Sequence, residues 1–269
     1  MRSHSAVVMD PIILPLRPVL LFCVVLARVG GLVTFAPFWG NQAAAPRIRA
    51  LLALALALVL TPAVAARMVT PPNDLLGFGV VIVLELTTGC VFGFTGRLIF
   101  SALDLAAQML SLQLGLTLGS IIDPSTRAQT TALGTLAQMF GLMVMLAADG
   151  HHWVLAATVR SFDTVAPGGF LMNPALARLL LRLSADALAV GVALAAPAIV
   201  ILLTVEFALA LIGRAAPQLQ VMLLGFPVKF IAGMWLLGGA LYFLPGAVRG
   251  ALSAVKGSLA HVLVVVSSR

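Results

Sequence analysis

Long apolar runs without a charge decide what this chain can become. Ala50–Ala66 is 17 residues long, Ala128–Ala148 is 21, and Ala187–Val205 and Phe230–Val248 are 19 each. Crossing the hydrocarbon of a bilayer takes about 20 apolar residues in a helix, within a range of about 17–25. Leu75–Gly96 is interrupted only by Glu85, Leu105–Ile122 adds 18 uncharged residues, Val19–Phe35 carries only Arg28, and Gly257–Ser268 is a short apolar tail. Five to seven of these segments are long enough to span. Charged residues make up 9% of the 269, against roughly 25% in soluble domains, so they cannot cover a water-facing surface. Soluble globular and disordered classes are both excluded. The expected fold is an all-α membrane protein of about six to eight hydrophobic helices. Asp10, Pro11, Pro15 and Pro18 break any early helix, so the run from Val19 reads as a retained segment without a cleavable signal.

The net charge is +7, which in a soluble protein would suggest nucleic acid. Here Arg47, Arg67, Arg97, Arg127, Arg160, Arg178, Arg214 and Arg249 fall singly on nearly every connection. With no cluster and no interleaved aromatics, they fit helix ends near headgroups and not a nucleic-acid surface. They also leave orientation unsettled: either the spans carry weak topology signals, or some apolar helices are covered by protein instead of lipid. The charges inside the runs bear on that choice. Arg28, Glu85, Asp104, Glu206 and Lys229 lie in apolar surroundings, where an Arg, Lys or Asp at a helix centre costs about 2.5–3.5 kcal/mol unless paired. Arg214 stands eight residues after Glu206, on roughly the same helix face two turns away. These six charges read as inter-helix or inter-subunit interface residues.

Enzyme signatures are missing. The sequence has no HExxH, GxSxG, P-loop or GxGxxG, and no catalytic, cofactor-binding or metal-ligating set is expected. His151 and His152 are adjacent, about 100° apart on a helix, so they read as loop or interface residues and not as a metal pair. Cys23 and Cys90 sit in apolar stretches without a CxxC partner and read as buried thiols. Gly89/Gly93 and Gly115/Gly119 are GxxxG pairs that would let helices approach closely. The second pair lies in a leucine-rich stretch that ends at Asp123-Pro124. Glycines here suggest a broken or loop-like segment, tolerated at membrane depth only under protein or beside water. Such a segment is a candidate pore lining or gate, with ordinary helix packing as the competing reading. Asp149–Asp186, with its histidines, Pro167-Gly168-Gly169 and Asn173-Pro174, reads as the water-exposed stretch that divides a larger first part from a smaller helical hairpin.

An ordered set of short motifs resembles the FliR family of type III export-gate proteins. It comprises Arg28-Val29-Gly30-Gly31 with Ala36-Pro37-Phe38, Pro46-Arg47-Ile48-Arg49, Glu85 with Gly89 and Gly93, and Gln108 through Leu114-Gly115-Leu116 to Asp123-Pro124. Asp149-Gly150-His151-His152, Ser161-Phe162, Ala216-Pro217-Gln218-Leu219-Gln220 and Gly225-Phe226-Pro227-Val228-Lys229 complete it. The set covers about residues 25–245. One departure is Ala106-Ala107 before Gln108, where the family leads us to expect a glycine. The resemblance implies a subunit of a helical pore complex with FliP and FliQ, several helices standing above the bilayer plane. FlhB and FlhA are implied as further export components, and unfolded flagellar proteins as substrates. It implies a FliP-like part over residues 1–185 and a FliQ-like hairpin over 186–269. It also implies a plug over Leu110–Ile122, including Leu110, Leu112, Leu114, Gly115, Leu116, Leu118, Gly119, Ile121 and Ile122. The implied location is the bacterial inner membrane at the flagellar basal body.

Two readings from other classes compete with a non-catalytic export-gate subunit. The equivalent subunit of a virulence secretion system belongs to the same class, and the Gly-His and Ser-Phe pairs favour the flagellar branch. A small-solute transporter would show two similar halves with paired broken helices, whereas only one glycine-interrupted segment is visible. An intramembrane enzyme would need a nucleophile or metal pattern that the sequence lacks.

Overall fold

A computed structural model describes residues 16–36, 45–65, 74–116, 132–170, 173–216 and 225–236, with single helical positions at 238, 239, 242, 246, 250, 257 and 262. Regular structure among the described residues is α-helical throughout. In chain order the helices are α1 Leu16–Phe35, α2 Pro46–Ala65, α3 Leu75–Gln113, α4 Ala132–Ala147, α5 Gly150–Thr164 and α6 Pro174–Ala215, followed by the short apolar helix α7 Gly225–Leu236. Arg17–Phe35, Pro46–Ala65, Leu75–Leu98 and Pro174–Ala215 are each long and apolar enough to cross a membrane, and α4 with α5, bent by 70° at their junction, would make a fifth span. The chain is therefore an all-α membrane protein.

Local sequence sets the helix starts. Asp74 Oδ2 accepts from Gly77 N at 2.7 Å and caps α3. Asn173 Oδ1 accepts from Leu176 N at 2.7 Å and caps α6, with Pro174 at the first helical position. Both are the side-chain caps and N-terminal proline that such boundaries favour.

Two segmentations drawn from the charges are corrected. Leu75–Gly96 and Leu105–Ile122 do not form separate spans up to Gln113: they fuse into the 39 residues of α3. Arg97 lies exposed and Asp104 is hydrogen-bonded to Gln138, so neither charge forces a break. The stretch 149–186 is not a loop: it contains α5 and the first turns of α6. Arg178, Arg182 and Asp186 recur every four residues on an exposed face. Leu176, Leu179, Leu180 and Leu183 pack inward. That is the apolar–polar division of an amphipathic helix. Helix α6 runs unbroken through position 185/186.

At the centre, α1 and α3 lie backbone to backbone. A Cβ on Gly89 would strike the Arg28 carbonyl, and one on Gly31 would strike the Leu86 carbonyl. Only glycine permits this approach, the use expected for small residues between membrane helices. The main core forms around the contact: Val24, Val25, Val29, Leu32 and Val33 of α1, Val91 and Phe92 of α3, Ala53 and Ala57 of α2, Phe162 of α5, and Leu176 of α6. A second cluster joins Phe100 and Leu103 of α3 to Met145 of α4.

This packing makes neighbouring glycines behave differently. Gly31→Leu or Gly89→Leu should prevent α1 and α3 from closing, a cost above the ~1–3 kcal/mol of ordinary overpacking because the obstacle is backbone. Gly30→Leu, whose Cβ would meet nothing within 4 Å, should leave the fold intact. Yield of monodisperse protein in detergent distinguishes them, and equal yields would contradict the backbone contact.

Candidate functional site

The side chains of Arg28 and Glu85 are both 0% exposed, in the middle of apolar helices. Arg28 Nε donates to Glu85 Oε2 at 2.6 Å and Nη2 to Glu85 Oε1 at 2.9 Å, the two-pronged geometry of guanidinium on carboxylate. Nη1 donates to Ser161 Oγ at 2.9 Å, Nη2 also to the Val165 carbonyl at 3.1 Å. The guanidinium carbon sits 3.9 Å above the centroid of the Phe162 ring. The Ser161 hydroxyl in turn donates to the Thr158 carbonyl at 2.6 Å. Glu85 Oε1 accepts a further bond from Gly168 N at 3.1 Å.

A turn delivers that last donor. Gly169 N bonds to the Ala166 carbonyl at 2.8 Å, Pro167 takes the second position, and Gly168 the third with φ +75°. A positive φ at that position favours glycine. One ion pair thus ties α1, α3, α5 and the segment after α5 together. Ser161, Phe162, Val165 and Gly168 were not assigned to it from sequence. The Ser161-Phe162 pair and the Pro-Gly-Gly turn were visible, but nothing in their spacing points across more than 70 residues to Glu85.

The remaining embedded charges also find partners inside the chain. Gln138 Nε2 of α4 donates to Asp104 Oδ1 at 2.7 Å and Oδ2 at 2.8 Å. Asp104 lies beyond the apolar span Leu75–Leu98. Burial pushes its carboxyl above the ordinary value, while the Gln138 bond and the Arg97 charge pull it back. Lys229 Nζ of α7 lies 2.9 Å from Glu206 Oε1 of α6, with side chains 21% and 52% exposed. This is a half-exposed pair, so the large cost of breaking a buried pair applies to Arg28–Glu85 and not here. Arg214 is exposed in the last turn of α6. It is not part of the Glu206–Lys229 ion pair.

Helix α3 ends at the candidate plug. Leu116 N bonds to the Ser111 carbonyl at 3.0 Å and Gly115 N to Leu112 at 3.1 Å, and Gly115 has φ +73°. These paired bonds around a left-handed glycine are a Schellman stop. Leu110 and Leu112 are thus still helical, and Leu112, Leu114 and Leu116 do not share one face. Leu112 and Leu116 are exposed, whereas Leu114 is buried against Gly233 of α7. Leu118, Gly119, Ile121 and Ile122 lie outside the described residues.

The sequence pattern of the bacterial export proteins, family 1, matches residues 19–255. The flagellar biosynthetic protein FliR of Caulobacter vibrioides is 36% identical over 215 residues, 79% of this chain and 85% of that protein. FliR of Escherichia coli is 28% identical over 242 residues, 88% and 90% of the two chains. FliR of Bacillus subtilis is 24% identical over 185 residues, 68% and 71%.

Breaking one side of the Arg28–Glu85 pair leaves a buried charge without its counterion. Arg28→Met alone, or Glu85→Leu alone, should destabilise the chain by about 3–5 kcal/mol. Arg28→Met combined with Glu85→Leu should recover much of that loss, because no charge remains to be buried. Thermal unfolding in detergent reads the cycle. Strictly additive effects would show that the two residues are not coupled.

Proposed function

The chain belongs to the bacterial export proteins, family 1, and on that premise we propose that it is a non-catalytic pore subunit of the flagellar export apparatus. As a relative of FliR it is a component of that apparatus; the finer reading is that it forms part of the export gate in the inner membrane at the basal body. FliP and FliQ would be its neighbours in the pore, and FlhB and FlhA would act beside it. Unfolded flagellar proteins would pass through as extended chains or single helices about 10–12 Å across.

The observation that carries the pore reading is the length of apolar surface on α6. Its 42 residues rise about 63 Å. Beyond the amphipathic first turns, large apolar side chains stay exposed from Leu188 through Val200, Phe207 and Leu211 to Ile212, a rise of about 36 Å. Upright, that stretch is longer than the hydrocarbon is thick; tilted by about 40°, the upper end for membrane helices, it covers about 28 Å of the bilayer normal. The hydrocarbon is about 30 Å thick. Glu206, 52% exposed within that stretch, and the exposed apolar faces of α2 and α4 favour cover by helices of neighbouring subunits over lipid alone. The two-part division also belongs to this proposal: residues 1–185 as the FliP-like part and 186–269 as the FliQ-like part, with α6 and α7 as the hairpin held by Glu206–Lys229.

Within that pore, Leu110–Ile122 would be the plug. Leu114 anchors its start on α7, Gly115 turns the chain out of α3, and the residues beyond would fill the lumen with apolar side chains. A constriction of that kind blocks ions by excluding water, without any charge barrier. Deleting Leu114–Ser120 should leave the complex assembled and make the membrane conduct ions and small solutes. Assembled complexes with unchanged conductance would rule the plug out.

A further inference from the structure

The corner between α4 and α5 brings together three metal-binding side chains that the export reading does not use. Asp149 is the N-cap of α5, with φ +54°, at the junction where the two helices bend by 70°. An aspartate there ordinarily turns its carboxylate onto the first backbone N–H groups of the helix. Asp149 makes no such bond. Its Oδ1 lies 3.5 Å from His152 Nδ1 instead. The His151 and His152 rings lie 4.1 Å apart between centroids, with planes at 38°. One ligand atom from each of Asp149, His151 and His152 falls within 4.8 Å of the others.

We propose that Asp149, His151 and His152 bind one divalent transition-metal ion of the zinc class. Adjacent histidines on a regular helix diverge, which is why the sequence argued against a pair. The left-handed corner sets Asp149 beside the imidazoles, and the two rings nonetheless lie 4.1 Å apart between centroids. Ligand atoms on one zinc ion lie about 3.4 Å apart at bond lengths of about 2.0–2.1 Å, so closing the set needs side-chain rotation alone. Two imidazoles and a carboxylate suit zinc, cobalt, nickel or copper and not calcium or magnesium. Asp149 is 70% and His152 67% exposed, which leaves water free to complete the coordination. The positive end of the α5 dipole opposes a cation, and the Asp149 charge offsets it. The carboxylate therefore matters to the site as much as either imidazole. A bound ion would pin the α4–α5 corner.

The test uses the full chain without a polyhistidine tag, extracted with its membrane partners, and Co²⁺ as a spectroscopic probe displaced by Zn²⁺. The proposal expects one Co²⁺ per chain with intensified visible absorption, and a higher unfolding temperature with Zn²⁺. Asp149→Asn and His152→Ala should each weaken binding at least about tenfold, given that even outer-shell partners command roughly 10–100-fold. His4→Ala and His261→Ala should change nothing. Absence of Co²⁺ uptake by the native chain would overturn it. So would uptake that survives His151→Ala with His152→Ala, which would assign the metal to other histidines or to thiols. If the double variant does not fold, His152→Gln decides alone: undiminished binding contradicts the site.

Discussion

An arginine with no exposed surface, in a helix whose other faces are valine and leucine, has to be met by a counterion and by acceptors for its remaining N–H groups. Arg28 meets both demands only when α3 brings Glu85, α5 brings Ser161, and the segment after α5 brings the Val165 carbonyl. Desolvating each ion costs several kcal/mol, and only close geometry with every lone pair used offsets it. The pair therefore adds little net stability and much specificity: a register slip of α1 against α3 would leave two charges stranded in an apolar core. Gly31 and Gly89 serve the same end, since the backbones must touch before the side chains can reach.

The periphery follows another logic. Asp104 with Gln138 and Glu206 with Lys229 close charges within the chain, so the embedded charges do not by themselves demand other subunits. The demand for neighbours comes from the outer surfaces. Helix α2 exposes Leu51, Leu58 and Val59, α4 exposes Met139 and Met143, and α6 exposes apolar residues from Leu188 to Ile212. A membrane takes up part of this surface. The remainder is what a multi-subunit pore would bury.

Much of this was legible in the sequence. The uncharged runs gave the all-helical membrane class, and Arg28 and Glu85 were identified as charges that need partners. Gly89/Gly93 and the glycine at the end of the leucine-rich stretch were visible as a close approach and a break. Three things were hidden for physical reasons. Charges at Arg97 and Asp104 suggest a break, but Arg97 on an exposed face and Asp104 bonded to Gln138 allow helix α3 to run through them. The amphipathic start of α6 carries enough arginine to resemble a loop unless its four-residue spacing is followed. The pairing of Arg28 with Glu85, and the additions from Ser161 and Gly168, depend on tertiary contacts that no spacing along the chain encodes.

The most direct measurement is native mass determination of the chain as gently extracted from its membrane. A pore subunit whose apolar flanks are covered by other proteins should appear only within a discrete assembly well above its own 27.9 kDa, accompanied by other export-apparatus chains. Recovery of the chain mainly alone, folded and monodisperse, with detergent or lipid as the sole cover for α6, would contradict it.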